Sequence, residues 1–400
     1  IEFHNLVIEV IAIFLFYPIE RVEKSKMMSI VARRGFKQTL ERTTRLIDHS
    51  PLLLQGKENC KMISSTTGLG SNFFQVHEAV TKLTKDGQES VLNASLTYLN
   101  EKAKLKAKIA RGLLGGAIAT PTLLGVPLGH NASYHEGVIF APPRIRKAIW
   151  DGSKYSTTEE GKNLIDPRVF ADVGDVPIQD MQNLGVNEAR LMDFISDSVK
   201  IVMNHTPLRP LILGGDHSVS YPVVRAISEK LGGPIDILHF DAHPDLYENF
   251  EDNYYSHASQ FAQIVEGKHV NRLVQVGVRS ITAQARQHGE KYGIELHEMR
   301  NFAKERDYLE NLALGTSEGV KGVYVSINVN SLDPAYAHGV SHIESGGLSL
   351  RDVLNILHNL KGNIVGGDVV EYNPQHDATN NMTALVTAKL VRELAAKISK

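Results

Sequence analysis

"IDILHFDAHPD", residues 235–245, carries six residues of largely apolar, strand-like character straight into two aspartates and a histidine. A near-continuous apolar run is what a strand needs when both faces of a parallel sheet are covered. The run has companions: "TLLGVPL" (122–128), "RPLILGG" (209–215), "RLVQVGV" (272–278), "GVYVSI" (322–327) and "NIVGGDVV" (363–370). Helical patterns alternate with them, as in "VNEARLMDFISDSVKIVMNH" (186–205), "YPVVRAISEKL" (221–231) and "LRDVLNILHNL" (350–360). Strand alternating with helix implies an α/β domain with a mainly parallel sheet between helical layers. The pattern covers 115–400 as one domain, without internal repeats.

Composition agrees with that class. Of 400 residues, 42% are hydrophobic and 22% charged, and the formal net charge is -2. Near-neutrality gives no electrostatic reason to expect nucleic acid or an anionic membrane as partner. The single cysteine, Cys60, cannot form an internal disulfide.

The N-terminal region reads differently. Residues 6–19 are apolar but contain Glu9 and fall short of the roughly 20 residues that span a bilayer. Residues 1–26 are expected to be upstream read-through or an artefact of the gene model. From Met27 to about residue 50, the run "MMSIVARRGFKQTLERTTRLI" (27–47) sets Arg33, Arg34, Lys37, Arg42 and Arg45 against a single acid, Glu41. That is the pattern of an organelle transit peptide, mitochondrial or plastid. Residues 51–114 read as a Gly/Ser/Thr-rich insert and then a helix, "ESVLNASLTYLNEKAKLKAKIARGLL" (89–114).

Ligands of parallel sheets bind beyond the carboxyl ends of the strands. After "RPLILGG" come Asp216 and His217; after "IDILHF" come Asp241, His243 and Asp245; after "GVYVSI" come Asn328 and Asn330; after "NIVGG" come Asp368 and Glu371. Extended backbone would place Asp241, His243 and Asp245 on one side, and Asn328 and Asn330 likewise. Carboxylate with imidazole suits manganese or zinc, and His217 beside this group reads as a further ligand.

"GGDHS" (214–218), "DAHPD" (241–245), "YSHAS" (255–259) and "SLDP" (331–334), in this order, resemble the ureohydrolase family of arginases and agmatinases. "LLGVPLGHN" (123–131), "APPRIRKAIW" (141–150) and "AKLVRELAAKISK" (388–400) make plant arginases the nearer resemblance. It implies a three-layer α/β/α fold, a two-Mn2+ centre, and hydrolysis of a small guanidino substrate, L-arginine to L-ornithine and urea, by a homo-oligomer (trimer or hexamer). Agmatine hydrolysis and a catalytically silent binding subunit are the alternatives. The family's six ligands fall on His217, Asp241, His243, Asp245, Asn328 and Asn330, the last two being aspartates in the family. His257 matches its acid/base histidine and Glu371 the carboxylate that pairs with guanidinium. Asp216 is expected behind the ligands, and His130, Asn131 and Ser133 are candidates for the substrate's α-carboxylate. With only Asp241 and Asp245 anionic, weak metal binding and impaired activity are expected. His338 and Ser345 replace two prolines usual in the plant segment.

Overall fold

Eight strands form one sheet: β1 (Thr120–Val126), β2 (Ala171–Asp175), β3 (Leu208–Gly214), β4 (Ile235–Phe240), β5 (Val270–Val278), β6 (Glu295–Glu298), β7 (Val323–Asn328) and β8 (Ile364–Val370). Their order is β2-β1-β3-β8-β7-β4-β5-β6, and every neighbouring pair is parallel. The computed structural model describes residues 85–132, 136–151, 157–377 and 380–400. The expectations for 1–26, for the transit segment at 27–50, for 51–84 and for Ser133 lie outside the described residues.

The helices are α1 (Lys85–Gly112), α2 (Ala141–Asp151), α3 (Ile178–Asn183), α4 (Glu188–Asn204), α5 (Ser220–Leu231), α6 (Gln260–Glu266), α7 (Ala283–Tyr292), α8 (Phe302–Leu309), α9 (Leu350–Asn359) and α10 (Met382–Ile398). Strand side chains alternate between two cores, as period-2 geometry dictates. Leu211, Leu213, Leu238, Phe240, Val325 and Ile327 pack with α2, α9 and α10 on one face. Ile212, Ile235, Ile237 and Tyr324 pack with α1, α4, α5 and α6 on the other. The architecture is thus the expected three-layer α/β/α sandwich. None of the described helices is long and apolar enough to cross a membrane.

Strands β3, β8, β7 and β4 are consecutive neighbours, so their carboxyl ends form one rim. At that rim Gly215 is required: a Cβ there would collide with the Leu128 carbonyl, and Gly215 N–H donates to Val126 at 3.0 Å. The loop after β1 is thereby held flush against the turn carrying Asp216 and His217.

Candidate metal centre and its cavity

The β4 ladder stops at Phe240, and the next five residues turn rather than continue the strand. Asp241 closes the turn by accepting the His243 backbone N–H at 3.0 Å. Asp245 sits in the left-handed region with φ 50°. The three side chains therefore converge by a turn, and not by the strand alternation expected from the sequence. The same correction holds on β7. Asn328 ends the strand and caps a 3-10 turn, Val329–Ser331, its Oδ1 accepting the Asn330 N–H at 3.0 Å. Both amides still reach the site.

His217 Nδ1 lies 2.9 Å from Asp241 Oδ2 and 3.0 Å from Asp245 Oδ2. Its other nitrogen faces Ser326 Oγ at 3.1 Å, and Ser326 donates its one proton to Asp368 Oδ1 at 2.7 Å. Ser326 must then accept from His217 Nε2–H, which frees the Nδ1 lone pair for the carboxylate side. Asp368 also takes hydroxyl bonds from Ser220 (2.7 Å) and Tyr324 (2.6 Å), so a buried carboxylate fixes this relay. Without a cation, Nδ1 between two carboxylates holds a proton. Burial opposes that charge, but bonds to Asp241 and Asp245 raise the imidazole well above its ordinary pKa. Burial likewise opposes ionisation of Asp241, yet His217, His239 and His243 hold it well below the usual carboxylate range.

The asparagines complete the cluster in an unexpected sense. Asn330 N–H can only donate, so the atom it meets on Asn328 is the amide oxygen. The Asn328 NH2 then faces inward, 2.8 Å from Asp241 Oδ2 and 3.2 Å from His217 Nδ1. Asn330 similarly directs Nδ2 towards His243 Nδ1 at 3.4 Å, while its Oδ1 accepts from Ala242 N–H at 3.3 Å. His217, Asp241 and Asp245 fit one divalent cation by charge and donor type. The second position does not fit as well, because two N–H groups point where a carboxylate oxygen would be needed. Candidate ligand atoms of His217, His239, Asp241 and Asp245 all lie within 4.8 Å of one another. His239 and Ser326 are missing from the sequence expectation, although each stands two residues before an expected ligand on its strand and so on the same side.

A cavity of 430 Å³ opens beside this cluster, lined by His243, Asp245, His257, Asn328, Asn330 and Glu371 among others. Glu371 is buried, adopts a left-handed φ of 64°, and accepts the His217 N–H through Oε1 at 2.9 Å. The same oxygen lies 3.7 Å from His257 Nδ1, an ion-pair distance. Burial pulls the His257 imidazole down, but Glu371, with Asp245 and Asp216 nearby, outweighs it and pushes the pKa up to about 9. His342 stacks on His257 with ring centroids 5.4 Å apart; nothing in the sequence pattern marked it.

The remaining expected residues lie behind the site. Asp216 caps the His217 turn, accepting from Ser218 N–H at 3.0 Å and Asn131 N–H at 3.2 Å. Burial, followed by the charge of Glu371, raises its pKa. His130 and Asn131 are not among the described residues of the cavity lining. His130 Nε2 meets Glu188 at 2.5 Å, and Asn131 Nδ2 donates to Glu188 at 2.9 Å and Ser218 Oγ at 3.2 Å. The Asn131 side-chain oxygen also accepts from Asn253 Nδ2 (2.9 Å), and its backbone carbonyl accepts from the His257 backbone N–H (3.3 Å), tying the His257 loop to the His217 turn. Asn131→Ala should cost about 1–3 kcal/mol of stability, since Glu188, Ser218 and Asn253 lose their bonds to its side chain while the backbone bonds to Asp216 and His257 survive. The check is a lower denaturant midpoint at unchanged slope; an unchanged midpoint would deny Asn131 this role.

A family model described as the arginase family matches residues 119–396. "Arginase 2, chloroplastic/mitochondrial" of Arabidopsis thaliana is 62% identical over 332 residues, 83% of this chain and 96% of that protein. A solved structure of arginase from Medicago truncatula superposes with TM-score 0.77 at 65% identity, covering 79% of this chain and 98% of that one. Agmatinase of Bacillus subtilis (strain 168) is 29% identical over 279 residues, 69% of this chain and 91% of that protein.

Proposed function

Because the chain belongs to the arginase family, we propose that it hydrolyses L-arginine to L-ornithine and urea with manganese as its metal. The observation that carries this reading is Glu371, a buried carboxylate on a cavity whose described lining contains no Lys or Arg. Such a carboxylate suits a planar guanidinium that enters with the substrate. His217, Asp241, Asp245 and His243 would hold the metal, whereas Asn328 and Asn330, expected as ligands from the sequence, turn N–H groups inward and offer it no oxygen. A divalent cation held by these residues would lower the pKa of a water, making a nucleophile available at neutral pH. Glu371 orients the guanidinium carbon towards the cluster. As the C–N bond to ornithine breaks, the departing amine takes a proton from His257, which stays protonated near neutrality because its pKa is about 9.

The inward amide N–H groups weaken the second cation position, so activity is attenuated and bound manganese is expected at about one per subunit rather than the two of a binuclear site. Metal analysis of the purified protein, with urea release from arginine, tests both statements. A protein that retains no manganese and releases no urea even with saturating manganese added would overturn the catalytic reading in favour of a silent binding subunit. Agmatine is the second reading, favoured by the absence of a described cation for an α-carboxylate; Tyr247, Ser280 and Thr282 offer hydroxyls there instead. Assaying both substrates separates the two.

We also propose a trimeric or hexameric assembly, to be checked by light scattering. Organelle import follows from the Arg-rich run after Met27 and from relatives named for mitochondria and chloroplasts. A reporter fused to residues 27–50 should enter mitochondria or plastids; a cytosolic reporter would remove the targeting claim alone.

A further inference from the structure

His239 offers a nitrogen to the candidate metal cluster, yet its neighbours fix which nitrogen carries a proton. Gln275 Nε2 lies 2.7 Å from the Pro244 carbonyl oxygen. A carbonyl only accepts, so this atom is the amide NH2 and the side chain cannot be flipped. The same NH2 lies 3.0 Å from His239 Nδ1. An amide nitrogen has no free lone pair, so Nδ1 is the acceptor and the ring proton sits on Nε2. Nε2 is 3.1 Å from Asp241 Oδ2 and donates to it. Both residues are fully buried, and Phe261 packs on the His239 ring at 4.1 Å between centroids. Among the described residues Gln275 Oε1 has no hydrogen-bond partner, as expected of a side chain whose orientation is dictated by its nitrogen alone.

We propose that His239 and Gln275 are a positioning pair: Gln275 sets the tautomer of His239, and His239 Nε2–H aims the Asp241 carboxylate, without itself being a ligand. The inference rests on the reading of Asp241 as a metal ligand. It assigns β5 a part in the site through Gln275, which also tethers the Asp241–Asp245 turn at Pro244. His239 thus restrains Asp241 from the floor, as Ser326 and Asp368 restrain His217.

Long-range 1H–15N correlation of histidine-labelled protein tests the pair, first metal-free and then loaded with Zn2+ as a diamagnetic cation. The expected result is His239 with a bare Nδ1 and a protonated Nε2 in both samples, while His217 changes on loading. A His239 Nε2 that loses its proton when zinc binds makes His239 a ligand and overturns the proposal, as does a metal-free protein with the proton on Nδ1. His239→Phe keeps the packing and removes the donor, and should weaken zinc binding 10–100-fold, the usual loss for an outer partner of a ligand. Unchanged affinity in a folded His239→Phe variant would also overturn it. If zinc does not bind the parent chain at all, the metal reading of the function falls, while the metal-free spectrum still decides the tautomer.

Discussion

Changing Asn328 and Asn330 together to aspartate should raise manganese affinity and urea release by well over the 10–100-fold that follows loss of an outer partner. Two inward N–H donors become carboxylate oxygens, whereas the cap on the Val329–Ser331 turn survives because aspartate also accepts from Asn330's backbone position. The same change should make the metal-free protein less stable. In the parent, Asn328 donates to Asp241 at 2.8 Å, so the cluster is satisfied without a cation. A carboxylate there leaves buried negative charge uncompensated, at a cost of about 3–5 kcal/mol. Manganese at 100 times its Kd returns about 2.7 kcal/mol. Unfolding curves with and without manganese measure both effects. A double variant as stable as the parent without metal, and no tighter for manganese, would show that the amides do not control the site. Should it bind two cations and still release no urea, attention moves to His338 and Ser345 on the loop that also carries His342.

The second large effect is expected at Glu371. Glu371→Gln in the metal-competent variant should lower kcat/KM by about 2–5 kcal/mol, roughly 30-fold to several thousand-fold, the range for truncating a buried charge partner. It also has a readout independent of turnover. The Glu371 carboxylate is the main influence holding His257 at about 9 against burial. Without it the imidazole should titrate lower, towards the ordinary value of about 6.5. A raised pKa in the folded state stabilises the fold fully below about pH 6.5, and that contribution is lost as pH rises through 9. Stability of the Glu371→Gln variant should therefore vary less over this window. An unshifted His257 titration would mean that Asp245 and Asp216, not Glu371, set its charge.

The central strands were legible because burial on both faces leaves a dense apolar record, as in β4 and β7. The edge strands were not: β2 is "ADVGD" and β6 is "ELHE", and an edge needs little apolar surface to pair on one side only. At the site, the strand-end residues His217, Asp241 and Glu371 could be found by position, since parallel sheets present ligands there. The turn that gathers Asp241, His243 and Asp245 could not, because it depends on a left-handed Asp245 that no local pattern announces. His239 was hidden for another reason. It lies within an apolar run, where a histidine reads as core, and its partner Gln275 comes from a strand 36 residues away in sequence. Asn131 and His130 lie next to the loop that carries His257, which made them candidates for contact, but Glu188 and Ser218 claim their polar atoms.

Strand β8 joins β3 to β7, although it is the last of the eight to be synthesised. Residues 364–370 alone join the two groups of strands, β2-β1-β3 and β7-β4-β5-β6. His217 follows a strand of the first piece, and Asp241, His243, Asp245 and both asparagines belong to the second. A chain ending before β8 therefore owns every one of these side chains but lacks the strand that brings His217 to Asp241 and Asp245. Metal capture is in this sense a test of chain completion: a product ending before β8 should fail to retain manganese, however well its two halves fold.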